Sequence, residues 1–123
     1  MNKYRNRKTT KNGIQYDSVR ESRRHAELLL LERAGEISEL ARQVRYILLP
    51  AQYESDIIGP KGGVKRGKLI EREVSYIADF VYMQDGKLVV EDVKGYKGGG
   101  AYAVFRIKKK LMLYVHKIAV KEV

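Results

Sequence analysis

The feature that most constrains the fold is a pair of apolar segments, residues 74–83 and 87–94, joined by Gln84-Asp85-Gly86. Asp-Gly between runs of Val, Ile, Tyr and Phe is typical of the tight turn of a β-hairpin. Each predicted strand carries a carboxylate, Asp79 in the first and Asp92 in the second, where the pattern otherwise places core residues. An unpaired buried charge is costly, and carboxylate oxygens are the ligands that Mg²⁺ prefers. The hairpin therefore predicts the centre of a sheet and a candidate metal site in one place.

Side-chain alternation sorts the charges of the second strand into two groups. Asp92 and Lys94 fall on one side of this strand, and Glu91 falls on the other. The predicted site therefore contains Asp92 and Lys94 together with Asp79. The structural alternative is a plain cross-strand ion pair between Asp79 and Lys94, which is worth at most about 1 kcal/mol on a surface.

The length and composition indicate one domain. A chain of 123 residues is large enough to build an ordinary core without disulfides. It contains no cysteine, which excludes a thiolate nucleophile and a cysteine zinc site and fits a reducing compartment. No apolar run approaches the length of a membrane span, and residues 1–7 lack the apolar core of a signal peptide. We expect a cytoplasmic protein that does not bind a membrane.

The charge of the chain is unevenly distributed along the sequence. The net charge is +10, and residues 1–12, 61–72 and 96–117 carry five, five and six basic residues against a single acid, Glu71. Residues 73–95 invert this balance, with five acids against two lysines. A basic periphery around an acidic centre suits a polyanion held over a metal site. The alternative is a soluble basic protein without such a site.

The first predicted helix covers residues 18–34. Ser18 and Glu21 form a capping box, and Gly35 is placed to end the helix in a left-handed turn. With Ala26 at the centre of the buried face, Val19, Ser22, Leu29 and Leu30 share that face. Glu27 lies at its flank and is the candidate carboxylate for the site. The alternative is a solvated Glu27 paired with Arg23 or Arg24.

With the remaining segments included, the predicted order of elements along the chain is a helix, three strands, a second helix and a last strand. Residues 1–13 predict a basic N-terminal arm, and residues 14–16, after the Asn12-Gly13 turn signal, predict a strand of a short ribbon. The other expected elements are a helical turn over 36–42, a strand over 44–49, a long flexible loop over 52–68, a helix over 102–116 and an edge strand over 117–123. In the second helix, the apolar positions at helical spacing are Val104, Ile107, Leu111, Tyr114 and Ile118. The fold class is α/β, with a mixed sheet flanked by two helices.

Asp79, a hairpin turn and Asp92-Val93-Lys94 together resemble the signature of the PD-(D/E)XK nuclease superfamily. The αβββαβ order over residues 14–123 also resembles the restriction-endonuclease-like core of that superfamily. Tyr76-Ile-Ala-Asp-Phe80 with Glu91-Asp-Val-Lys-Gly95 is similar to small phage-encoded members described as Holliday-junction-resolvase-like. Ala78 departs from the proline of the name-giving motif, a position that does not touch the chemistry.

The resemblance implies a Mg²⁺- or Mn²⁺-dependent DNA endonuclease encoded by a phage and acting in the bacterial host. Asp79, Asp92, the carbonyl of Val93 and Glu27 would bind the metal, and Lys94 would assist the attacking water or the phosphate. Junction or branched DNA is the first refinement of the substrate. Basic residues expected to contact nucleic acid are Arg5, Arg7, Lys8, Arg23, Arg24, Lys61, Lys65, Arg66, Lys97, Arg106, Lys109 and Lys110.

Two other functions remain compatible with the same fold. One is a nucleic-acid-binding protein without catalysis, and the other is a protein-binding inhibitor. Cutting two strands favours a homodimer, for which Leu28 and Leu31 are the candidate interface residues because they lie off the predicted core face. His25 and His116 lack the spacing of a metal pair, so we expect both at the surface.

Overall fold

The chain folds as an α/β protein around a mixed sheet, in a computed structural model that describes residues 8–95 and 97–123. In chain order the elements are β1 (Thr9–Lys11), β2 (Ile14–Tyr16), α1 (Val19–Arg33), β3 (Ser38–Leu49), β4 (Gln52–Tyr53), β5 (Ile57–Ile58), β6 (Val64–Lys65), β7 (Leu69–Glu71), β8 (Val74–Gln84), β9 (Lys87–Asp92), α2 (Gly99–Leu111), a π-helical turn (Met112–His116) and β10 (Lys121–Glu122). The central sheet has the strand order β10-β9-β8-β3. Strands β3, β8 and β9 run antiparallel, and β10 runs parallel to β9. The predicted fold class and order of the core elements are confirmed.

The predicted hairpin is the centre of this sheet. Strands β8 and β9 pair from Phe80 opposite Glu91 to Gln84 opposite Lys87. Asp85 and Gly86 both have positive φ, at 51° and 75°, as a two-residue type I′ turn requires. Because β9 pairs with β8 only as far as Phe80, the earlier part of β8 leaves a gap beside it at Asp79.

The two faces of the sheet carry separate apolar clusters. The cluster on the α2 face is formed by Leu48, Tyr76, Ala78, Val81, Val90, Phe105, Met112 and Val120. The cluster on the α1 face is formed by Leu28, Ile37, Phe80 and Tyr82. Val81 lies between Phe80 and Tyr82 and packs on the opposite face, as strand alternation requires. The helices therefore cover opposite faces of one sheet.

Helix α1 has the predicted ends but a different buried face. The Ser18 side chain accepts from the Glu21 N–H, and Gly35 adopts a φ of 80° after the last turn. The buried residues are Glu21, Ser22, His25 and Leu28, whereas Leu30 is 63% exposed. The prediction that centred the core face on Ala26 is wrong, because the helix buries a partly polar stripe that an apolar wheel does not detect.

Strand β3 occupies the segment where a helical turn over residues 36–42 was predicted, so that prediction is wrong. The strand carries positive φ at Glu39 and Gln43, and its register with β8 shifts between Ser38 and Ala41. Such irregularities interrupt the two-residue repeat of a strand. Ile37 and Leu40 consequently face the same cluster at a spacing of three, which imitates a helix.

Residues 52–68, predicted as a flexible loop, form a two-stranded ribbon together with residues 69–71. Strand β4 pairs with β7, and β5 pairs with β6, each antiparallel. Within the described residues, the ribbon strands make their main contacts only with each other. We call residues 52–71 the ribbon. It leaves the sheet where β3 ends and returns where β8 begins.

The C-terminal helix is confirmed, but its predicted core face is only partly correct. Phe105 and Met112 are buried, while Val104, Ile107 and Tyr114 are exposed, Tyr114 to 76%. The π-helical turn shifts the residues after Leu111 relative to a regular helix. A helical spacing cannot predict which residues face the core after such a shift.

At the N-terminus, the described part of the predicted arm is ordered. Thr9–Lys11 pairs with Ile14–Tyr16 in an antiparallel ribbon, which confirms the short-ribbon prediction. Arg5 and Arg7 lie outside the described residues. In the part of the chain that the structure describes, no helix combines the length and apolar character needed to cross a membrane.

Candidate active site

The structure brings Asp79, Asp92 and Lys94 together beside the gap between β8 and β9. Asp79 lies on β8 one residue before the paired segment, and Asp92 is the last residue of β9. The Asp79 carboxylate accepts a hydrogen bond of 2.8 Å from the backbone N–H of Val93. This contact joins the end of β9 to the unpaired part of β8. The two strands thereby hold both predicted carboxylates at one end of the hairpin.

Asp92 is almost fully buried and has a partner at each oxygen. The hydroxyl of Tyr76 donates to Oδ2 at 2.6 Å, and Nζ of Lys94 lies 2.8 Å from Oδ1. Lys94 Nζ also lies 3.8 Å from the ring centroid of Phe105 on α2. Burial, followed by the nearby charge of Asp92, raises the pKa of the Tyr76 hydroxyl, so Tyr76 remains a donor. The ion pair observed is therefore between Lys94 and Asp92, and Asp79 is not its partner.

Asp79 experiences an unfavourable charge environment. Burial raises the pKa of the Asp79 carboxyl to about 7, and repulsion from Asp92 and then from Glu21 acts in the same direction. The hydrogen bonds from Val93 and Gln43 oppose this shift without cancelling it. The site thus concentrates negative charge around Asp79 that its own donors leave only partly balanced.

The helix carboxylate nearest this group is Glu21, and the assignment to Glu27 needs correction. Glu21 is 3% exposed and its Oε1 accepts from Gln43 Nε2 at 3.0 Å and from Arg42 at 3.3 Å. Glu27 is exposed, and its only ion pair among the described residues is with Arg24. On a wheel centred on the buried His25, Glu27 falls about 200° away, on the opposite side of the helix. The predicted alternative, a solvated Glu27 paired with Arg24, is what the structure shows.

Gln43 is a site residue that the sequence did not reveal. Its amide Nε2 donates to Glu21 at 3.0 Å and to Asp79 Oδ1 at 3.3 Å, so it joins the two carboxylates. Its backbone has a φ of 52°, which is uncommon for a residue other than glycine, asparagine or aspartate. The flanking residues Arg42 and Val44 pair with Phe80 and Ala78, which puts Gln43 opposite Asp79. Gln43 lies between Arg42 and Val44 in a mixed polar and apolar segment, and this sequence context carries no signal that could have identified it.

Glu91 and Arg24 form a separate buried pair on the α1 face. Arg24 Nε donates to Glu91 at 2.9 Å and its NH2 group at 2.6 Å, and Tyr82 donates to the same carboxylate. Burial opposes the ionisation of Glu91, but the bonds from Arg24 and Tyr82 outweigh it and lower its pKa. Arg24, predicted to contact nucleic acid, is instead committed to this pair. Glu91 is on the opposite face from Asp92, as alternation predicts.

The other basic residues of the predicted nucleic-acid surface differ in availability. Lys8, Arg23, Lys61, Lys65, Arg66, Lys97 and Lys110 are exposed. Lys109 lies 2.6 Å and Arg106 4.0 Å from Glu122, which partly neutralises both. The exposed members lie on different elements, and Lys61, Lys65 and Arg66 are on the ribbon.

The two histidines differ from each other. His25, expected at the surface, is buried, with Nδ1 2.6 Å from the Tyr16 hydroxyl and its ring stacked on Phe80. Burial, assisted by the nearby Arg42, lowers the pKa of His25. His116 is exposed, as expected, and its Nε2 lies 2.7 Å from the Ile47 carbonyl. Among the described residues, no hydrogen bond joins either histidine to Glu21, Asp79 or Asp92. Leu28 and Leu31 pack in the α1 cluster, so they are wrong as dimer-interface candidates.

The donor set around Asp79 fits a hard divalent cation in its chemistry. Among residues 8–95 and 97–123, no three acidic, histidine or cysteine side chains form a preassembled metal-binding group. The two carboxylates of Asp79 and Asp92 are nevertheless close enough to repel each other. Oxygen ligands with unbalanced negative charge are what Mg²⁺ and Mn²⁺ prefer. A cation between Asp79 and Asp92 would balance that charge.

Comparison with known protein families gives one match. A family model described as a protein of unknown function, DUF1064, matches residues 1–121. The chain belongs to the DUF1064 family. No curated protein and no solved structure matches the chain. The match to DUF1064 includes the N-terminal ribbon, both helices, the ribbon and all of the candidate site.

Proposed function

We propose that the chain is a metal-dependent endonuclease that hydrolyses phosphodiester bonds of DNA. The observation that carries this proposal is the meeting of Asp79, Asp92 and Lys94 at one end of the hairpin, with Glu21 joined to Asp79 through Gln43. The resemblance to the PD-(D/E)XK signature supports the same reaction. The proposal includes membership of that superfamily.

The residues that would hold the metal are Asp79 and Asp92, with the Val93 carbonyl as a further oxygen ligand. Glu21 takes the role that the sequence assigned to Glu27. The ion, when bound, stabilises charge that develops on the scissile phosphate and acidifies a bound water. Gln43 holds Glu21 and Asp79 in fixed positions, and Tyr76 fixes the rotamer of Asp92 through its donated bond.

Lys94 is the proposed cationic partner of the reacting phosphate. Its ammonium lies 2.8 Å from Asp92 and over the ring of Phe105, which restricts where the side chain can point. A fixed ammonium beside the carboxylates would orient the attacking water or stabilise the negative charge of the transition state. Both actions require Lys94 to exchange one contact with Asp92 for a contact with water or phosphate.

DNA is the proposed substrate because of the charge distribution. A net charge of +10, with exposed basic residues on several elements, attracts a phosphate backbone toward the acidic centre. Branched or junction DNA is the proposed refinement. The proposal includes a homodimer, since cutting two strands takes two sites. Leu28 is buried within the chain and therefore does not form the dimer interface.

A nucleic-acid-binding protein without catalysis is the second candidate. The observation that favours it is that both oxygens of Asp92 already have partners, Tyr76 and Lys94. Under this alternative the chain would bind DNA but would cleave neither DNA nor RNA in the presence of Mg²⁺ or Mn²⁺.

The test is a cleavage panel of duplex, flap, four-way-junction and single-stranded DNA, and of RNA, with Mg²⁺, Mn²⁺ or EDTA. We expect metal-dependent cleavage of DNA that Asp79→Asn or Asp92→Asn lowers at least about a hundredfold, because each removes a metal ligand. Glu21→Gln should also lower the rate, whereas Glu27→Gln, on the same helix but away from the site, should retain it.

Melting temperatures of all four variants control for folding. Cleavage that persists in EDTA or in both aspartate variants would contradict the metal mechanism. If Glu27→Gln loses activity and Glu21→Gln keeps it, the helix assignment from the structure is wrong and the assignment from the sequence is correct.

A further inference from the structure

The outer part of the ribbon combines exposed apolar side chains with positive charge. Ile57 and Ile58 of β5 are 58% and 75% exposed, and Val64 of β6 is 71% exposed. Ile58 and Val64 are directly paired across the ribbon. From residue 57 to residue 68 the sequence has four basic residues and no acid. Exposed apolar pairs of this kind in a solvent-facing ribbon indicate a surface that meets a partner.

The tip of the ribbon is ordered by its own backbone. Gly59 N–H donates to the Gly63 carbonyl at 2.7 Å, and Gly62 N–H donates to the Gly59 carbonyl at 3.0 Å. Gly62 has a φ of 83°, which this turn requires. The closed turn fixes Ile58 and Val64 side by side directly below it. The apolar pair is therefore presented as a rigid unit.

The ribbon joins the start of β8, on the side of the candidate site that is away from the hairpin turn. It joins the sheet at Leu49 and Val74, and Asp79 is five residues further along β8. Five residues of strand span about 17 Å, roughly half of one turn of a DNA duplex. The ribbon adds further reach of at most about 25 Å from residue 52 to residue 59. DNA held at the site would thus come within reach of the tip.

The charge of the outer ribbon favours a polyanion as its partner. None of the ion pairs formed among the described residues involves Lys61, Lys65, Arg66 or Lys68. Arg66 stacks on the Tyr53 ring instead, at 4.5 Å. A second copy of this chain, with a net charge of +10, would bring like charges together at this surface.

We propose that the ribbon is the element that selects branched DNA, with Ile58 and Val64 as a wedge that inserts where base stacking is already weakened and separates the bases there. The inference rests on the proposed DNA substrate of the site. Lys61, Lys65 and Arg66 contact phosphates on either side, and the apolar pair replaces base stacking lost at a branch point. Apolar wedges flanked by basic residues act in this way in proteins that bend or open DNA. Insertion into an intact duplex is costly, so the wedge distinguishes branched DNA from duplex DNA and does not recognise the base sequence.

The test uses the full chain in an Asp79→Asn background, which permits binding measurements with Mg²⁺ present. The variant Ile58→Thr with Val64→Thr keeps β-branched side chains and removes the apolar surface. Anisotropy with a four-way junction, a flap and a matched duplex gives the affinities. We expect the double variant to bind both branched DNAs about tenfold more weakly, with duplex affinity within about twofold.

Leu30→Gln is the matched control, because it removes a leucine that is 63% exposed on α1, away from the ribbon. It should leave all affinities unchanged. A 2-aminopurine base at the branch point reports insertion directly, since it brightens when unstacked. We expect brightening with the parent protein and little with the double variant.

Three outcomes would overturn the inference. The first is equal binding of branched DNA by the parent protein and the double variant. The second is loss of a dimer by sedimentation in the double variant with DNA selectivity unchanged, which would assign the pair to a second copy. The third is binding of the parent to vesicles containing phosphatidylserine that the double variant loses while its DNA binding is unchanged. Failure of the proposed hydrolysis would appear separately, as absent cleavage by the unmodified protein.

Discussion

At the scale of single residues, Asp79 is the position where the stability of the fold and the proposed chemistry oppose each other. Burial and the neighbouring carboxylates raise its pKa to about 7, well above its ordinary value of 3.8. Between these two values the folded chain binds a proton that the unfolded chain releases. The free energy of unfolding therefore falls as the pH rises through this window. Ionised Asp79 is a destabilising feature that a function in metal binding would explain.

Asp79→Asn should stabilise the chain at pH 8 in EDTA, because it removes the unbalanced charge and keeps an acceptor for the Val93 N–H. We expect the melting temperature to rise by at least about 4 °C. At pH 5, where the Asp79 carboxyl is neutral, the variant and the parent should melt alike. Thermal melts of both proteins across this pH range measure the difference.

His25 also titrates, but it does so in both proteins, so its contribution cancels when their melting temperatures are subtracted. Because the pKa of the buried His25 is lowered, its contribution to the free energy of unfolding rises as the pH rises toward 6.5, opposite in sign to that of Asp79. Mg²⁺ at pH 8 should raise the melting temperature of the parent more than that of Asp79→Asn. A larger Mg²⁺ effect on the variant would argue against a metal at Asp79.

At the scale of elements, the ribbon is an independent part of the fold. Its strands pair with each other and make few contacts with the sheet, so its loss should leave the two apolar clusters intact. At Gly67 the two halves of the ribbon approach closely. A Cβ atom there would lie 2.2 Å from the Glu54 carbonyl oxygen and 2.5 Å from that of Ser55. Because these contacting atoms belong to the backbone of the opposite half of the ribbon, no side chain can move aside to make room for the Cβ atom.

Gly67→Ala should therefore open the ribbon without unfolding the domain. Limited proteolysis should cut within residues 52–71 at least about tenfold faster than in the parent, because local opening exposes the backbone. The melting temperature should change by less than about 4 °C. Gly63→Ala is the control, since no atom lies within 4 Å of its added Cβ. Equal protection of both variants would show that the close approach at Gly67 is absent in solution.

At the scale of the whole molecule, charge governs the proposed affinity for DNA. The net charge is +10, yet individual basic residues contribute unequally. Lys109 bonds to Glu122 at 2.6 Å, and this contact is the leading cause that lowers the pKa of Glu122. Lys65 and Lys110 are exposed, and no ion pair among the described residues involves them. Exposed, unpaired ammonium groups release the most counterions when they bind phosphate.

The salt dependence of duplex binding should distinguish these lysines. Replacing Lys65 and Lys110 with Ala should weaken binding to every sequence and reduce the slope of log Kd against log salt by about 1 for each lost phosphate contact. Lys109→Ala should change the slope less, because Glu122 already neutralises that charge. Titrations at several salt concentrations measure the slopes. A loss confined to one DNA sequence would indicate base contacts instead.

The sequence determined the features that depend on neighbours along the chain. The Asp85-Gly86 turn, the alternation that separates Asp92 from Glu91, and the Ser18 cap all follow from local spacing, and the structure has each of them. Local spacing failed where the backbone departs from regular geometry. The bulged β3 imitated a helix, and the π-helical turn displaced the core face of the second helix.

Only the tertiary structure decided which carboxylate of α1 belongs to the site. Glu21 and Glu27 are both on this helix, and the choice between them depends on how the helix is rotated against the sheet. That rotation is set by the burial of His25 between Tyr16 and Phe80 and by the bonds from Arg42 and Gln43 to Glu21, contacts between residues distant in sequence. A wheel that counts apolar residues assigns no weight to buried polar pairs. The sequence thus identifies the hairpin and its charges, and packing against that hairpin selects the remaining site residues.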